Sequence, residues 1–132
     1  MSVRGTSPNI PVRNLAETLA FYKDTLGFRQ VIDNPDYRYA LVQRDAALIA
    51  LFETDNEDLL ALTGTQFQAQ IWVENVDAMW AELKDGLEAL PEGRMRGPFD
   101  QAYGTRELHV KCPDGFLMLF TQDDSLEDEG DE

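Results

Sequence analysis

The stretch Gly104-Thr105-Arg106-Glu107-Leu108-His109-Val110-Lys111-Cys112-Pro113-Asp114-Gly115-Phe116-Leu117-Met118-Leu119-Phe120 decides the fold. Within it, Pro113-Asp114-Gly115 is a turn signal: proline presets φ, aspartate bonds to its own backbone, and glycine tolerates positive φ. The runs on either side alternate or are wholly apolar, so the segment is predicted to be a β-hairpin. An earlier stretch, Arg44-Asp45-Ala46-Ala47-Leu48-Ile49-Ala50-Leu51, aligns with residues 113–120 at a shift of 69. Ile10-x-Val12-x-Asn14-Leu15 likewise recurs as Ile71-x-Val73-x-Asn75-Val76 at a shift of 61, and Lys23-Asp24 recurs as Lys84-Asp85. One shift serving several consecutive matches points to internal duplication rather than chance likeness of two amphipathic units. The larger shift at the later pairing places a longer middle loop in the second copy.

Working outward, residues 6–13 are predicted to form a strand, with Ile10 and Val12 on one face and Ser7, Asn9 and Pro11 on the other. Pro8 and Pro11 argue for an edge strand or an arm. Asn14 can cap a helix, with Glu17 completing a capping-box pattern, Leu15, Leu19, Tyr22 and Leu26 at helical spacing, and Gly27 ending it. Strands are expected over 28–32, 37–43 and 46–52, giving a first β-α-β-β-β module over about 6–53. Residues 53–65 are read as a connector. A strand over 67–74, a helix capped by Asn75 with Val76, Trp80, Leu83 and Leu87 buried, and a loop over 91–103 holding a strand near 94–97 then follow. The hairpin closes a second module over about 67–122.

The chain's 132 residues suffice for one domain, expected over 1–122. A hydrophobic content of 43% with 27% charged residues is that of a soluble globular protein. No apolar run is long enough to span a membrane, and the first residues lack a signal-peptide core. One cysteine, Cys112, excludes an internal disulfide and fits a reducing cytoplasm. The net charge is −14, and residues 123–132 hold seven acids and no base, so they are predicted to form a disordered acidic tail. This balance disfavours nucleic acid and anionic membranes and favours a cationic ligand. No Ser-His-Asp set, Gly-rich phosphate loop or CxxC is present.

The paired β-α-β-β-β modules carry Phe21-Tyr22-Lys23-Asp24-Thr25-Leu26-Gly27-Phe28 and Tyr103-Gly104-Thr105-Arg106-Glu107-Leu108 before Pro113-Asp114-Gly115. In these the chain resembles the vicinal oxygen chelate superfamily, which includes glyoxalase I, extradiol dioxygenases, fosfomycin resistance enzymes and bleomycin resistance proteins. The resemblance implies an α+β fold: two tandem modules forming a curved mixed sheet around a central cleft, with helices on the outer face. The superfamily's metal enzymes hold a divalent ion at matching places in the two modules, which map here to Ser7, Ala50, Gln68 and Leu119. Ala50 and Leu119 have no donor atom, Ser7 is a poor neutral ligand, and Gln68 alone cannot hold a metal. No metal site, cofactor or catalytic residue is therefore expected.

Loss of the metal with the cleft kept is similar to the bleomycin resistance branch, whose members are dimers that sequester a cationic, flat-ringed antibiotic without chemistry. The resemblance thus implies a cytoplasmic homodimer that binds a small organic molecule, such as a bleomycin-type glycopeptide, and confers antibiotic resistance. The alternative is a glyoxalase- or dioxygenase-like metal-dependent enzyme with non-standard ligands. A third class is an interaction module that binds a protein through the acidic tail.

If Ile49, Leu51, Ile71, Val73, Met118 and Phe120 pack under the helices, alternation turns Leu48, Ala50, Phe52, Gln68, Gln70, Trp72, Leu117 and Leu119 to the cleft. Such a surface, apolar with a few amides, suits an organic ligand. Trp72 and Phe52 can stack on planar rings or fill the cleft themselves. Tyr37 and Tyr103 are expected at its mouth, with Asn9 on the first strand, and Glu107 and His109 share a strand face as a candidate polar pair. Cys112 is expected to be inert packing.

Overall fold

Among the described residues, asparagines cap three α-helices, and each cap fixes where a helix leaves its strand. Asn14, Asn56 and Asn75 accept, through Oδ1, the backbone N–H three residues on, from Glu17, Leu59 and Ala78, each at 3.0 Å. The structure, a computed structural model, describes residues 1–123 and 125. The expected tail over 123–132 therefore lies outside the described residues, apart from Asp123 and Ser125. The chain divides into two compact units. The first comprises residues 1–67 with the hairpin turn 112–116; the second takes in residues 68–111 and the chain from 117 onward.

In the first unit, β1 (Asn9–Val12) leads to α1 (Leu15–Ala20), then β2 (Arg29–Asn34), β3 (Tyr39–Arg44), β4 (Ala47–Glu53) and α2 (Glu57–Gln66). The sheet order is β1-β4-β3-β2, with β1 parallel to β4 and the other pairs antiparallel. β1 is thus an edge strand, where Pro11 can lie without an orphaned ladder bond. After Ala20 the helix widens into a π-type turn over Phe21–Thr25, in which Leu26 N–H reaches back to Phe21 O. This turn buries Tyr22 and Leu26, sets Tyr22 edge-on against Phe28, and ends at Gly27 with φ of 75°.

α2 corrects the sequence reading, which made residues 53–65 a connector. Its capped first turn carries Glu57 and Asp58, matched to the helix dipole, and it buries Leu60 and Thr63. Gly64 lets this helix lie against the turn at Asp114 and Gly115, where a Cβ would meet Asp114 O inside contact distance. Cys112, on the same turn, is buried with its Sγ 3.4 Å from the Tyr22 hydroxyl.

The second unit runs β5 (Gln68–Trp72), α3 (Val76–Glu88), β6 (Met95–Asp100), β7 (Arg106–Lys111) and β8 (Leu117–Gln122). Its order, β5-β8-β7-β6, reproduces the first: β5 is parallel to β8, and the remaining pairs are antiparallel. The repeat is legible in the registers, since Asn9 pairs with Ala50 as Gln70 pairs with Leu119. Leu108, Val110, Met118 and Phe120 are fully buried on one face of this sheet, as are Val76 and Leu87 of α3, so α3 covers that face. β1 is shorter than the strand predicted over 6–13, so Ser7 precedes it.

Candidate functional site

The sheet face turned away from α3 in the second unit carries most of the candidate side chains. Three cross-strand rows run over it. Trp72 pairs with Thr121, and Thr121 with Glu107. Gln70 pairs with Leu119, Leu119 with His109, and His109 with Arg96. Gln68 pairs with Leu117, and Leu117 with Lys111. Trp72 is 54% exposed, and Gln68 and Gln70 are exposed, whereas Glu107 and Thr121 are buried. The Gln70 amide donates to Thr121 Oγ1 at 3.1 Å, a side-chain tie between neighbouring strands.

Glu107 is the centre of this face. Its side chain is wholly inaccessible to solvent, yet both carboxylate oxygens are bonded. Gln101 Nε2 donates to Oε1 at 3.0 Å, and His109 Nε2 lies 2.7 Å from the same oxygen. Tyr103 and Thr105 donate their hydroxyls to Oε2 at 3.1 and 2.8 Å. Burial pushes the Glu107 carboxyl up, but the bonds from His109, Gln101, Thr105 and Tyr103 outweigh it and bring it down from 4.5 to about 2. An ionised carboxylate only accepts, so the His109 proton sits on Nε2. Partial desolvation, then the bond to Glu107, pushes the Tyr103 hydroxyl up.

The Glu107–His109 pair expected from the strand pattern is therefore formed, and Tyr103 joins it. Gln101 and Thr105, which the sequence reading missed, complete the set. A fully donated, solvent-free carboxylate is poorly placed to take a proton from a substrate. Its arrangement holds the face rigid and fixes the His109 ring.

His109 in turn packs against Phe99, ring centroids 4.8 Å apart and edge to face, and the Arg96 guanidinium lies 3.4 Å over the Phe99 ring. A bulge in β6 permits this, since Arg96 to Phe99 spans three residues against two on β7 from His109 to Glu107. A small cavity of about 170 Å³ opens beside it, bordered by Arg94, Arg96, His109, Lys111 and Leu117. A wider depression of about 490 Å³ lies at the other end of β7 around Gln101, Thr105 and Gln122. There Arg106 is neutralised by Asp77 and Asp100, each at 3.1 Å.

The remaining candidates, Asn9, Tyr37 and Phe52, belong to the first unit. Asn9 is exposed on the edge strand, Phe52 is half-buried opposite Pro11 and Tyr39, and Tyr37 stands 79% exposed in a single helical turn between β2 and β3. Matching registers within each unit allow the two faces to be compared position by position. Where the second unit has Glu107, His109, Lys111, Thr121 and Arg96, the first has Tyr39, Leu41, Gln43, Phe52 and Ile32. Duplicate positions have diverged into an apolar, aromatic face and a polar, basic one. Of the mapped metal places, Ala50 and Leu119 are buried. No group of three His, Cys, Asp or Glu side chains is assembled among the described residues.

The sequence model described as "Glyoxalase/Bleomycin resistance protein/Dioxygenase superfamily" matches residues 6–120. The chain belongs to this superfamily. No curated protein matches it in sequence. Members with solved structures are similar in fold. A bleomycin resistance determinant encoded on the transposon Tn5 is 25% identical, with a TM-score of 0.74 over 89% of this chain and 96% of that one. A bleomycin-binding protein complexed with bleomycin is 26% identical, with a TM-score of 0.74 over 89% and 97%. The bleomycin-binding protein of bleomycin-producing Streptomyces verticillus, complexed with copper(II)-bleomycin, is 23% identical, with a TM-score of 0.75 over 92% and 98%. Chemistry on this superfamily fold varies, so the fold alone does not decide what this chain binds.

Proposed function

We propose that the chain is a metal-independent binding protein of the glyoxalase/bleomycin resistance superfamily. It sequesters an aromatic organic molecule, cationic overall and of the bleomycin type, in a cleft completed by a second copy. The two units act as one domain over residues 1–122, and the protein serves antibiotic resistance in the cytoplasm. The observation that carries this reading is the open face of the second unit. A half-exposed Trp72 stands beside the exposed amides Gln68 and Gln70 over a rigid buried network. An exposed indole next to amides is a stacking platform with hydrogen-bonding margins, the composition of organic-ligand sites. The similarity to two bleomycin proteins at 25% and 26% identity supports the same ligand class. The chain's acidity speeds approach of a cation and makes association salt-sensitive. No helix among the described residues is long and apolar enough to cross a membrane.

Titration of metal-free bleomycin, followed by tryptophan fluorescence and repeated with Trp72→Ala, tests the proposal. The expected result is saturation that Trp72→Ala weakens by about tenfold or more, from loss of one stacked ring. Absence of saturation below about a millimolar excludes bleomycin as the ligand. Stoichiometric, tightly held metal in protein purified without chelator overturns metal independence. A monomer in sedimentation at micromolar concentration overturns the shared cleft.

A further inference from the structure

We propose that the small cavity between the ends of β6 and β7 is an oxyanion subsite, which receives a carboxylate or phosphate group of the ligand. The inference rests on reading this sheet face as ligand-binding, and it adds an acidic group to the ligand's description. Charge distribution is its starting point. The chain has 11 basic side chains against 25 acidic ones, yet Arg94, Arg96 and Lys111 border one cavity, as does the only histidine. Among the described residues, no acidic side chain lines it. Arg96 and Lys111 form no ion pair among the described residues, whereas Arg106, on the same sheet, is held between two aspartates.

The cavity is also built. Its walls are tied together by Lys111 N–H donating to Arg94 O at 2.7 Å and by Arg94 Nε donating to Lys111 O at 2.8 Å. Arg96 is set from behind by a chain of contacts: Glu107 fixes His109, the His109 ring meets Phe99, and Phe99 lies under the guanidinium. A guanidinium stacked on a ring keeps its in-plane N–H groups available, and that fork matches a carboxylate or phosphate. Lys111 adds a mobile charge from the neighbouring strand. At about 170 Å³ the cavity is below the roughly 300 Å³ of a site for a whole drug-sized molecule, so it suits one group of a larger ligand. From β5, which carries Trp72, to β6 is three strand spacings, about 14 Å. Arg96 and Lys111 lie in rows further along the strands than Trp72, so a ligand engaging both ends spans more than that distance.

His109 is the single histidine, so its imidazole C–H resonances report on the cavity without assignment ambiguity. Inorganic phosphate and benzoate are titrated into the intact chain at fixed pH, against chloride at matched ionic strength. The expected result is a saturating His109 shift with a midpoint of about 1–20 mM. Arg96→Gln and Lys111→Gln each raise that midpoint by about fivefold or more, while the distant Lys84→Gln leaves it unchanged. Tighter phosphate or tighter benzoate names the group the subsite prefers. A shift that does not saturate, or midpoints unmoved in both Arg96→Gln and Lys111→Gln, overturns the proposal. Bleomycin saturating the fluorescence titration while neither anion saturates would refute the subsite alone and leave the binding-protein reading standing.

Discussion

Replacing Glu107 by glutamine tests the central network while keeping its shape. The carboxylate is solvent-free and takes four bonds, from Gln101, Tyr103, Thr105 and His109. Glutamine presents an amide N–H₂ where two of those donors point, so at least one bond is lost and another is turned against a donor. The depression of the Glu107 carboxyl from 4.5 to about 2 corresponds to about 3 kcal/mol favouring the folded state at neutral pH. For a chain of this size that amounts to a Tm lowered by about 10 °C. The sign follows from the direction of the shift. Because the folded state binds the proton more weakly, the contribution is complete above about pH 5. It is lost as pH falls through the folded value near 2. The difference between Glu107→Gln and the parent should therefore be about 3 kcal/mol at pH 7 and about 2 kcal/mol at pH 3.5. Urea unfolding of both proteins at a series of pH values measures it. Equal stabilities at pH 7 would refute the reasoning, as would a difference that grows toward acid.

Four further outcomes are expected. Gly64→Ala places a methyl against Asp114 O and should destabilise by about 1–3 kcal/mol, read as a fall in urea midpoint. Neutralising Asp77 by asparagine removes one of two exposed partners of Arg106 and should change stability by no more than about 1 kcal/mol. Cys112 is 4% exposed, so its reaction with a disulfide reagent should proceed only at the rate of opening and become immediate in denaturant. Removal of residues 123–132 should slow association of a cationic ligand without changing its dissociation, measured by stopped-flow fluorescence at low salt.

The duplication was readable because it left its offsets in the sequence. The shifts of 61 and 69 between Ile10 and Ile71 and between Asp45 and Asp114 reappear in space as the matched pairs Asn9–Ala50 and Gln70–Leu119. Strand alternation likewise put Glu107 and His109 on one face, and strand geometry made them meet. α2 was not readable, because only a short apolar stripe marks it, with Leu60 and Thr63 its buried residues. Its one strong signal was Asn56 capping before Glu57-Asp58, a pattern that acidic loops also show.

Gln101 and Thr105 were not readable as partners of Glu107 for a different reason. They sit in or beside a loop, and no periodicity says where a loop side chain points. The clue was chemical: a glutamate on a strand with buried neighbours needs donors, and the loop just before its strand supplies Gln101, Tyr103 and Thr105. The same argument explains why net charge alone misdescribes the site. A total of −14 predicts a cationic partner, and it says nothing about Arg96 and Lys111 on the polar face. Their counterparts in the first unit, Ile32 and Gln43, carry no charge, so basicity arose or survived in one copy only.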